Sequence, residues 1–440
     1  MAWATSSRTV SGAVWKSATR AMRADPQRAG APNLMCPCRP GEPYREYPGA
    51  QASCAHQPCL PPESVMSTYR AAAIADSTLE RAYGHAIHQA FYELPDVELT
   101  ALADPVAEPR AERAAEIGNP RQYDDYRDML AAESPDLVSI CPHHFKHHGR
   151  WLLDVIESGA RGIYIEKPIT ASLDEADAVL EAADAAGTKI AVAHQNRYRP
   201  GTHRVAELVR EGAIGTLRYI HAVGKCDQRG GTHDLRVLGT HVLDALRFIA
   251  GDVAWATGHM QVDGRDVTVD DVFDGPEGLG QMAGDALTGY FTFDSGAIAR
   301  FDTYTRPSGG PSPWFGYELW GTEGGISVRD AGRTILRYPA PANLPGDSSL
   351  AWEAVDVPDL TYPDGRPASD AQLLDALNRH AAADIIACIE NGGEPISSAR
   401  QATAALEMVM AILEGHRTGA RVPFPMRTRA NPLAVWQAES

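Results

Sequence analysis

The segment Gly162-Ile163-Tyr164-Ile165-Glu166-Lys167-Pro168 decides the fold prediction. Its first four residues form an apolar run without polar alternation, which is typical of a short strand buried on both faces of a parallel sheet. The charged pair Glu166-Lys167 then falls at the carboxyl end of that strand, and Pro168 stiffens the turn. Ligands of open α/β sheets bind at this edge, so Lys167 is the first candidate site residue.

The neighbouring segments repeat this arrangement of strand and helix. Predicted apolar strands alternate with predicted helices. The strands lie at 71–74, 97–103, 136–141 and 189–193. The helices lie at 84–92, 108–117, 126–132, 151–158 and 173–186. Such alternation indicates a doubly wound parallel sheet. We therefore predict an α/β protein in which residues 68–195 form an N-terminal Rossmann-type, NAD(P)-binding domain.

After Pro200 the pattern changes to strands that follow one another without helices. Residues 286–293 and 297–304 flank the turn Asp294-Ser295-Gly296, as in a β-hairpin. Residues 196–430 are therefore predicted to form an α+β substrate and oligomerisation domain with a large, mainly antiparallel sheet. Its C-terminal helices, at 373–390 and 399–414, are expected to pack back on the body, and residues 431–440 are interpreted as a tail.

The net charge of −17 argues against nucleic acid and anionic membrane as partners, because both are themselves negative. No apolar run reaches the length of a membrane span. Residues 1–67 are proline-rich and are predicted to be a disordered extension; an organelle transit peptide is the alternative. Four of the seven cysteines lie there with a spacing that fits no common zinc pattern. We predict a cytoplasmic protein.

The turn after the first strand is the expected dinucleotide site, yet it holds a single glycine, Gly84. Such turns are usually glycine-rich, so that backbone N–H groups approach the pyrophosphate. The small residues Ala75, Ser77 and Thr78 still permit close approach, and the hydroxyls can donate to phosphate. Asp104 ends the second strand, where a carboxylate binds ribose hydroxyls and repels a 2′-phosphate, so NAD is expected rather than NADP. A solvated turn aspartate is the alternative.

Two further clusters carry chemistry. The histidines from Cys141-Pro142-His143-His144 to His148 are irregularly spaced and have no carboxylates among them, so no metal is expected. Lys167 can stabilise a developing alkoxide, and partial burial would lower its pKa; a surface lysine is the alternative. His241 and Asp244 share a helix face at i, i+3, so the carboxylate can orient His241 as a general base; a structural histidine is equally compatible.

These segments together resemble the glucose–fructose oxidoreductase/inositol dehydrogenase (Gfo/Idh/MocA) family. The matching features are 136–141 and the motifs Ala103-Asp104-Pro105, Glu166-Lys167-Pro168, Gly239-Thr240-His241-Val242-Leu243-Asp244 and Ala420-Arg421-Val422-Pro423-Phe424-Pro425. The resemblance covers about residues 68–430. It implies NAD(P)-linked oxidation of a sugar, cyclitol or related polyol, with Lys167 and His241 at the reacting carbon, in a homodimer or homotetramer formed through the antiparallel sheet.

Motifs and resemblance together predict Lys167 and His241 as the catalytic residues. The residues expected at the cofactor are Ala75, Ser77, Thr78, Asp104, Cys141, Pro142, His143, Glu166, Lys167 and Gln195. Those expected at the substrate are Lys167, Arg197, Asp227, Asp234, His241 and Asp244, and the loop 225–229, Trp314 and Tyr317 are further candidates for lining a sugar pocket.

Two departures from the family pattern leave other functions open. The glycines are nearly absent, and Val237 stands where many members have an aspartate four residues before the helix histidine. An enzyme that retains NAD for epimerisation, oxidoreductive recycling or glycoside cleavage is one alternative. A non-catalytic sugar-binding protein is the other.

Overall fold

The fold is taken from a computed structural model, which describes residues 69–306, 310, 312–341 and 349–440. The extension predicted at 1–67 and its cysteines lie outside the described residues. No helix of the described part is long and apolar enough to cross a bilayer.

Six parallel strands form the first sheet, in the order β3-β2-β1-β4-β5-β6. The strands are β1 (Tyr69–Ile74), β2 (Val97–Ala103), β3 (Arg121–Tyr123), β4 (Leu137–Ile140), β5 (Gly162–Ile165) and β6 (Lys189–Val192). The helices between them are α1 (Ala107–Glu116), α2 (Tyr126–Glu133), α3 (His148–Glu157) and α4 (Leu173–Ala186). Every residue of β4 and β5 is buried, as their apolar runs predict. The strand order reverses between β1 and β4, which is where such sheets bind nucleotides, and the predicted doubly wound sheet is confirmed.

The helix predicted at 84–92 is wrong at its start. The chain forms a 3₁₀ segment over Gly84–Gln89, in which His85 and Ala86 have positive φ angles of 46° and 55°. A Cβ atom on Gly84 would lie 2.7 Å from Oε1 of Glu166, and the Gly84 N–H donates to the Cys141 carbonyl. The chain is therefore pressed against the ends of β4 and β5, and this close approach prevents a regular helical turn.

The second sheet has ten strands, in the order β17-β16-β15-β14-β7-β13-β12-β8-β18, with β9 paired to β8. The strands are β7 (Leu217–Val223), β8 (Val253–Val262), β9 (Arg265–Asp266), β12 (Ala286–Phe293), β13 (Ile298–Tyr304), β14 (Gly316–Gly321), β15 (Gly325–Arg329), β16 (Thr334–Tyr338), β17 (Glu353–Ala354) and β18 (Val422–Pro423). A separate hairpin joins β10 (Phe273–Gly275) to β11 (Gly280–Met282). All pairs in the large sheet are antiparallel except β7–β13, so the predicted sheet and its β12–β13 hairpin are confirmed.

The described residues of this second half form six helices: α5 (Pro200–Arg210), α6 (Gly231–Asp234), α7 (Thr240–Ala250), α8 (Leu373–Asn391), α9 (Ala399–Thr418) and α10 (Pro432–Glu439). A π-helical turn, Leu235–Gly239, connects α6 to α7. Helix α8 packs on the first sheet, where the Tyr164 hydroxyl donates to Asn378 Oδ1 at 2.9 Å. The segment interpreted as a tail is helix α10, with Leu433 fully buried.

Gly162→Ala tests the contact between α8 and the first sheet. An added Cβ would lie 2.5 Å from Ile385 Cγ2 and 2.8 Å from Leu137 Cδ2, so the helix would have to move. We expect the free energy of unfolding to fall by about 2 kcal/mol, measured by urea denaturation followed by circular dichroism. Glu157→Ala, at the exposed end of α3, is the control and should stay within about 0.5 kcal/mol of the parent. Equal stabilities of the two variants would contradict this packing.

Candidate active site

Lys167 lies directly beyond β5 and is fully buried. Its ammonium Nζ donates to the backbone oxygen of Val237 at 2.6 Å and to His143 Nε2 at 2.9 Å. Burial lowers the pKa of Lys167 to about 8, against the opposing charges of Glu166 and Glu277. Lys167 is thus a cation fixed by two hydrogen bonds, and its third N–H is not used within the described residues.

The acceptor on Val237 belongs to the π-helical turn Leu235–Gly239. Such turns are rare and often occur at functional sites. Many members of the resembled family have an aspartate at this position, where this chain has Val237. The backbone carbonyl of Val237 nevertheless accepts a lysine N–H. Loss of the side-chain acceptor therefore does not leave Lys167 without a partner on this helix.

His143 connects Lys167 to the tip of the β10–β11 hairpin. Its Nδ1 lies 2.9 Å from Oε2 of Glu277. An ammonium can only donate, so His143 Nε2 accepts and the ring proton resides on Nδ1, facing the carboxylate. Burial and the charge of Lys167 lower the pKa of His143 to about 4, so the ring is neutral. Burial opposes ionisation of Glu277, but its hydrogen bond with His143 prevails and lowers its pKa to about 2.

Glu166 is also fully buried, and its Oε1 lies 2.5 Å from His85 Nδ1. Its second oxygen accepts the backbone N–H of Lys167 at 3.0 Å. Burial alone would raise the pKa of Glu166, but the charge and hydrogen bond of His85 lower it to about 2. Glu166 therefore orients the 3₁₀ segment against the lysine.

His241 is half-buried on the wall of a cavity of about 240 Å³. The cavity is lined, among others, by His85, Gln195, Leu238, His241, Phe315 and Tyr317. The His241 ring lies 6.2 Å from that of His85 and 5.5 Å from that of His194, centre to centre. Burial and then the charge of Lys167 hold the pKa of His241 well below its usual value. A neutral imidazole thus faces the cavity.

The predicted pairing of His241 with Asp244 is wrong. The buried Asp244 carboxylate accepts from Arg197 Nε at 2.8 and 2.9 Å, and His194 Nδ1 lies 3.6 Å away. Residues at i, i+3 can meet on a helix, but here both oxygens of the Asp244 carboxylate accept from Arg197, which lies beyond β6. Arg197 and Asp244 therefore hold α7 against the first sheet and do not line the cavity.

Two other residues predicted at the substrate are also engaged elsewhere. Asp234 is buried and accepts from the Cys226 N–H and the Thr303 hydroxyl. Asp227 is buried and pairs with Arg229. Neither carboxylate lines the cavity. Each one instead accepts hydrogen bonds from buried or half-buried donors beside it.

The two aromatic residues predicted to line a sugar pocket lie at different sites. Tyr317 lines the cavity, as predicted, and Phe315 lies beside it. Trp314 is 59% exposed and lines a different groove, on the second sheet, and the loop 225–229 does not reach the cavity.

The predicted cofactor residues lie at the β1–β4 switch point. Asp104 follows β2, is buried, and accepts from the Ser77 N–H at 3.0 Å and the Ser77 hydroxyl at 2.6 Å. Thr78 bonds Asp76, and Ala75 is buried, so these side chains are turned to their own loop. A buried carboxylate at the end of β2 and a glycine packed against Glu166 fit a dinucleotide drawn across these strand ends.

The remaining cofactor candidates follow β4 and β6. Cys141 and Pro142 follow β4 and are buried, and their carbonyls accept from Gly84 and His148. Gln195 lines the cavity and donates to Asn378 at 3.4 Å. The structure thus places Glu166, His143 and His241 close to the lysine and Gln195 on the cavity wall with His241, whereas sequence reasoning missed His85, His194 and Glu277.

His85, His143 and Glu166 also place three donor atoms within 4.8 Å of one another. Glu166 is already bound to His85, and both ring nitrogens of His143 are engaged with Lys167 and Glu277. A cation here would face the lysine ammonium. The chemistry of the set is that of a hydrogen-bond network.

Fold and site together define an NAD(P)-dependent oxidoreductase. The family model "Oxidoreductase family, NAD-binding Rossmann fold" matches residues 79–194, and the model "GFO/IDH/MocA C-terminal domain" matches residues 202–327. The chain therefore belongs to the GFO/IDH/MocA family, and the resemblance predicted from its motifs is confirmed.

Characterised relatives are similar along most of their length. D-apiose dehydrogenase of Paraburkholderia graminis is 27% identical over 360 residues, which cover 76% of this chain and 84% of that enzyme. The scyllo-inositol 2-dehydrogenase (NAD⁺) of Bacillus subtilis is 25% identical over a stretch that covers 76% of this chain and 91% of that enzyme. A solved levoglucosan dehydrogenase, in complex with NADH and levoglucosan, shares the fold with a TM-score of 0.62 and 19% identity, covering 81% and 100%.

Asp244→Asn tests the reassignment of this carboxylate to a structural role. Removing its charge leaves the Arg197 guanidinium buried without a counter-ion, so the free energy of unfolding should fall by about 3 kcal/mol in urea denaturation. The control is Asp252→Asn, whose side chain is 67% exposed and pairs with Arg247, and it should change by less than about 1 kcal/mol. A stable Asp244→Asn protein that had lost only substrate affinity would instead restore the substrate-binding prediction.

Proposed function

We propose that this protein oxidises a hydroxyl of a sugar, cyclitol or related polyol with NAD as hydride acceptor. The observation that carries the proposal is a fixed lysine ammonium, Lys167, whose charge acts on the neutral imidazole of His241, and His241 lines a cavity beyond the strand ends. The names of the relatives, which are pentose, glucoside and inositol dehydrogenases, support the same substrate class. The aromatic ring of Tyr317 suits the apolar face of a sugar ring.

His241 takes the hydroxyl proton in this proposal, because its low pKa keeps a nitrogen lone pair free at neutral pH. The third N–H of Lys167 donates to the same oxygen as negative charge develops on it. The two groups are close enough to interact, since the charge of Lys167 is the largest charge effect on His241. NAD held at the strand ends beside Asp104 and Gly84 would supply the acceptor for the hydride of the carbinol carbon.

Asp104 favours NAD over NADP in this proposal. Its carboxylate is buried at the end of β2, where a 2′-phosphate would meet like charge without solvent to screen it. To bind a ribose, the carboxylate would exchange its bonds to Ser77 for bonds to the sugar hydroxyls. One relative is an NADP⁺-dependent D-xylose dehydrogenase, so the family includes both preferences.

We infer further that the protein works in the cytoplasm as a homodimer or homotetramer. The three described cysteines, Cys141, Cys226 and Cys388, are buried free thiols, which suits a reducing compartment. Tyr219 and Tyr304 are exposed aromatic residues on strands of the second sheet and would be covered by a partner subunit there.

Lys167→Met tests the catalytic role of the lysine with little change of side-chain volume. We expect NAD-linked oxidation of a panel of aldoses and cyclitols to fall by about a thousandfold or more, while the Kd for NAD stays within a few-fold. Lys189→Met is the matched control and should keep full activity. Lys189 lies at the amino end of β6, at the opposite end of the strands from Lys167. Undiminished turnover in Lys167→Met would remove the lysine from the mechanism.

The pH dependence of kcat should be bell-shaped. The Lys167 pKa is lowered to about 8, so its ammonium is present below that pH and activity should fall as the pH rises through 8. The His241 pKa is also lowered, so its free base is lost only well below pH 6.5, which sets the acid limb. Initial rates measured from pH 5 to 10 check both limbs. A rate that keeps rising from pH 8 to 10 would contradict the need for the ammonium.

A further inference from the structure

Glu277 occupies the tip of the β10–β11 hairpin in a backbone conformation that disfavours its side chain. Its φ and ψ angles are 57° and 18°, in the left-handed region, and Gly278 and Gly280 beside it also have positive φ. A non-glycine residue there costs about 1 kcal/mol. Strain of this kind persists where the surrounding structure requires the side chain, and functional sites are where it concentrates.

The hairpin is held firmly on the active site. Leu279 and Met282 pack with Phe145 and Val237 in one buried cluster. The fully buried Arg236 donates to the carbonyl of Leu279. The tip therefore cannot move without opening a core that includes the π-helical turn, so the position of Glu277 is well determined.

Glu277 stands at the end of a buried chain of hydrogen bonds. It accepts from His143 Nδ1 at 2.9 Å, and His143 Nε2 accepts from Lys167 at 2.9 Å. The side chains of His143 and Glu277 are 3% and 8% exposed. On its outer side Glu277 faces Arg81 at 3.8 Å and His233 at 4.0 Å, and the charge of Arg229 also acts on it. Glu277 is thus the outermost member of a chain that begins at the lysine.

We propose that Glu277 is a positioning residue for the oxidation, which acts through His143 to aim the Lys167 ammonium and keep it charged at neutral pH. By accepting the Nδ1 proton, Glu277 fixes the tautomer that turns the Nε2 lone pair towards Lys167. Its negative charge offsets the cost of burying the ammonium. The proposal rests on the proposed function, and it adds a residue from the second half of the chain to the lysine's environment.

The charges around Lys167 determine in which direction its pKa moves when the Glu277 charge is removed. Burial, Arg229 and Arg81 lower its pKa, whereas Glu166 and Glu277 raise it, and the neutral rings of His143, His194 and His241 complete its surroundings. Removing the Glu277 charge while leaving the shape of its side chain therefore favours the neutral amine. The same change weakens the tautomer preference of His143.

Glu277→Gln is the test, and Asp274→Asn is its matched control, because Asp274 is an exposed acid three residues earlier on the same hairpin. In Glu277→Gln we expect kcat at pH 7.5 to fall at least about threefold, because moving the lysine pKa from about 8 to about 7 leaves about a third as much ammonium, with KM for the polyol within about twofold. The alkaline limb of the pH–kcat profile should move by about one pH unit to acid. Asp274→Asn should change neither quantity.

A second measurement reports the charge of Lys167 without turnover. The chain has only five lysines, so ¹³C labelling of the lysine ε-carbons gives few signals, and Lys167→Met identifies the one from Lys167. Its titration midpoint should also move to lower pH by about one unit in Glu277→Gln and not in Asp274→Asn. If the parent protein oxidises no polyol, the proposed function fails, while this titration still decides whether Glu277 controls the lysine.

A folded Glu277→Gln protein with an unchanged lysine titration and an unchanged pH profile would overturn the proposal. Equal shifts in Asp274→Asn would also overturn it, since they would reduce the effect to general surface charge. Should Glu277→Gln fail to fold, Glu277→Gly relaxes the left-handed backbone and removes the same carboxylate. Its lysine titration is expected to shift in the same direction, and an unshifted midpoint there rejects the proposal.

Discussion

Burial of the Lys167 ammonium is the constraint on which the rest of the site depends. A charge removed from water among apolar strand ends is tolerated only where donors and acceptors around it are satisfied. Its acceptors come from different parts of the chain, His143 beyond β4 and Val237 in the helical segment before α7. Because one cation needs both, the two halves of the molecule must meet in a single geometry at this point.

The histidines around the lysine follow from the same constraint. His143, His194 and His241 are all buried or half-buried, and burial lowers the pKa of each. A second cation beside Lys167 would add repulsion to the cost of desolvation, so these rings stay neutral and serve as acceptors or bases. Positive charge is thereby kept on Lys167, and the hydrogen bonds of His143 fix its tautomer.

The elements predicted well are those for which local pattern and tertiary structure agree. Apolar runs predicted β4 and β5, and the charged pair after β5 predicted the position of Lys167, since the carboxyl ends of parallel strands converge at one edge. Strand β8 was missed because its burial does not alternate cleanly along its ten residues.

Side-chain partners were predicted less well than positions. Helical spacing shows that His241 and Asp244 can meet, but not that Arg197 offers the carboxylate a better bond. Nothing in the sequence links Glu277 to a lysine 110 positions earlier. The link runs through His143 and is created by the hairpin's docking on Phe145.

Helix α8 completes the core of the first sheet, and this has a consequence for how the chain is made. Leu377 and Ile385 lie in the same buried cluster as β1 and Tyr164, and Asn378 also donates to the His85 carbonyl at 2.9 Å. During synthesis the N-terminal sheet emerges from the ribosome well before α8 does. Part of one apolar face of that sheet stays uncovered until residue 391 has been added, so we do not expect the dinucleotide-binding half to fold alone when it is cut at its last strand.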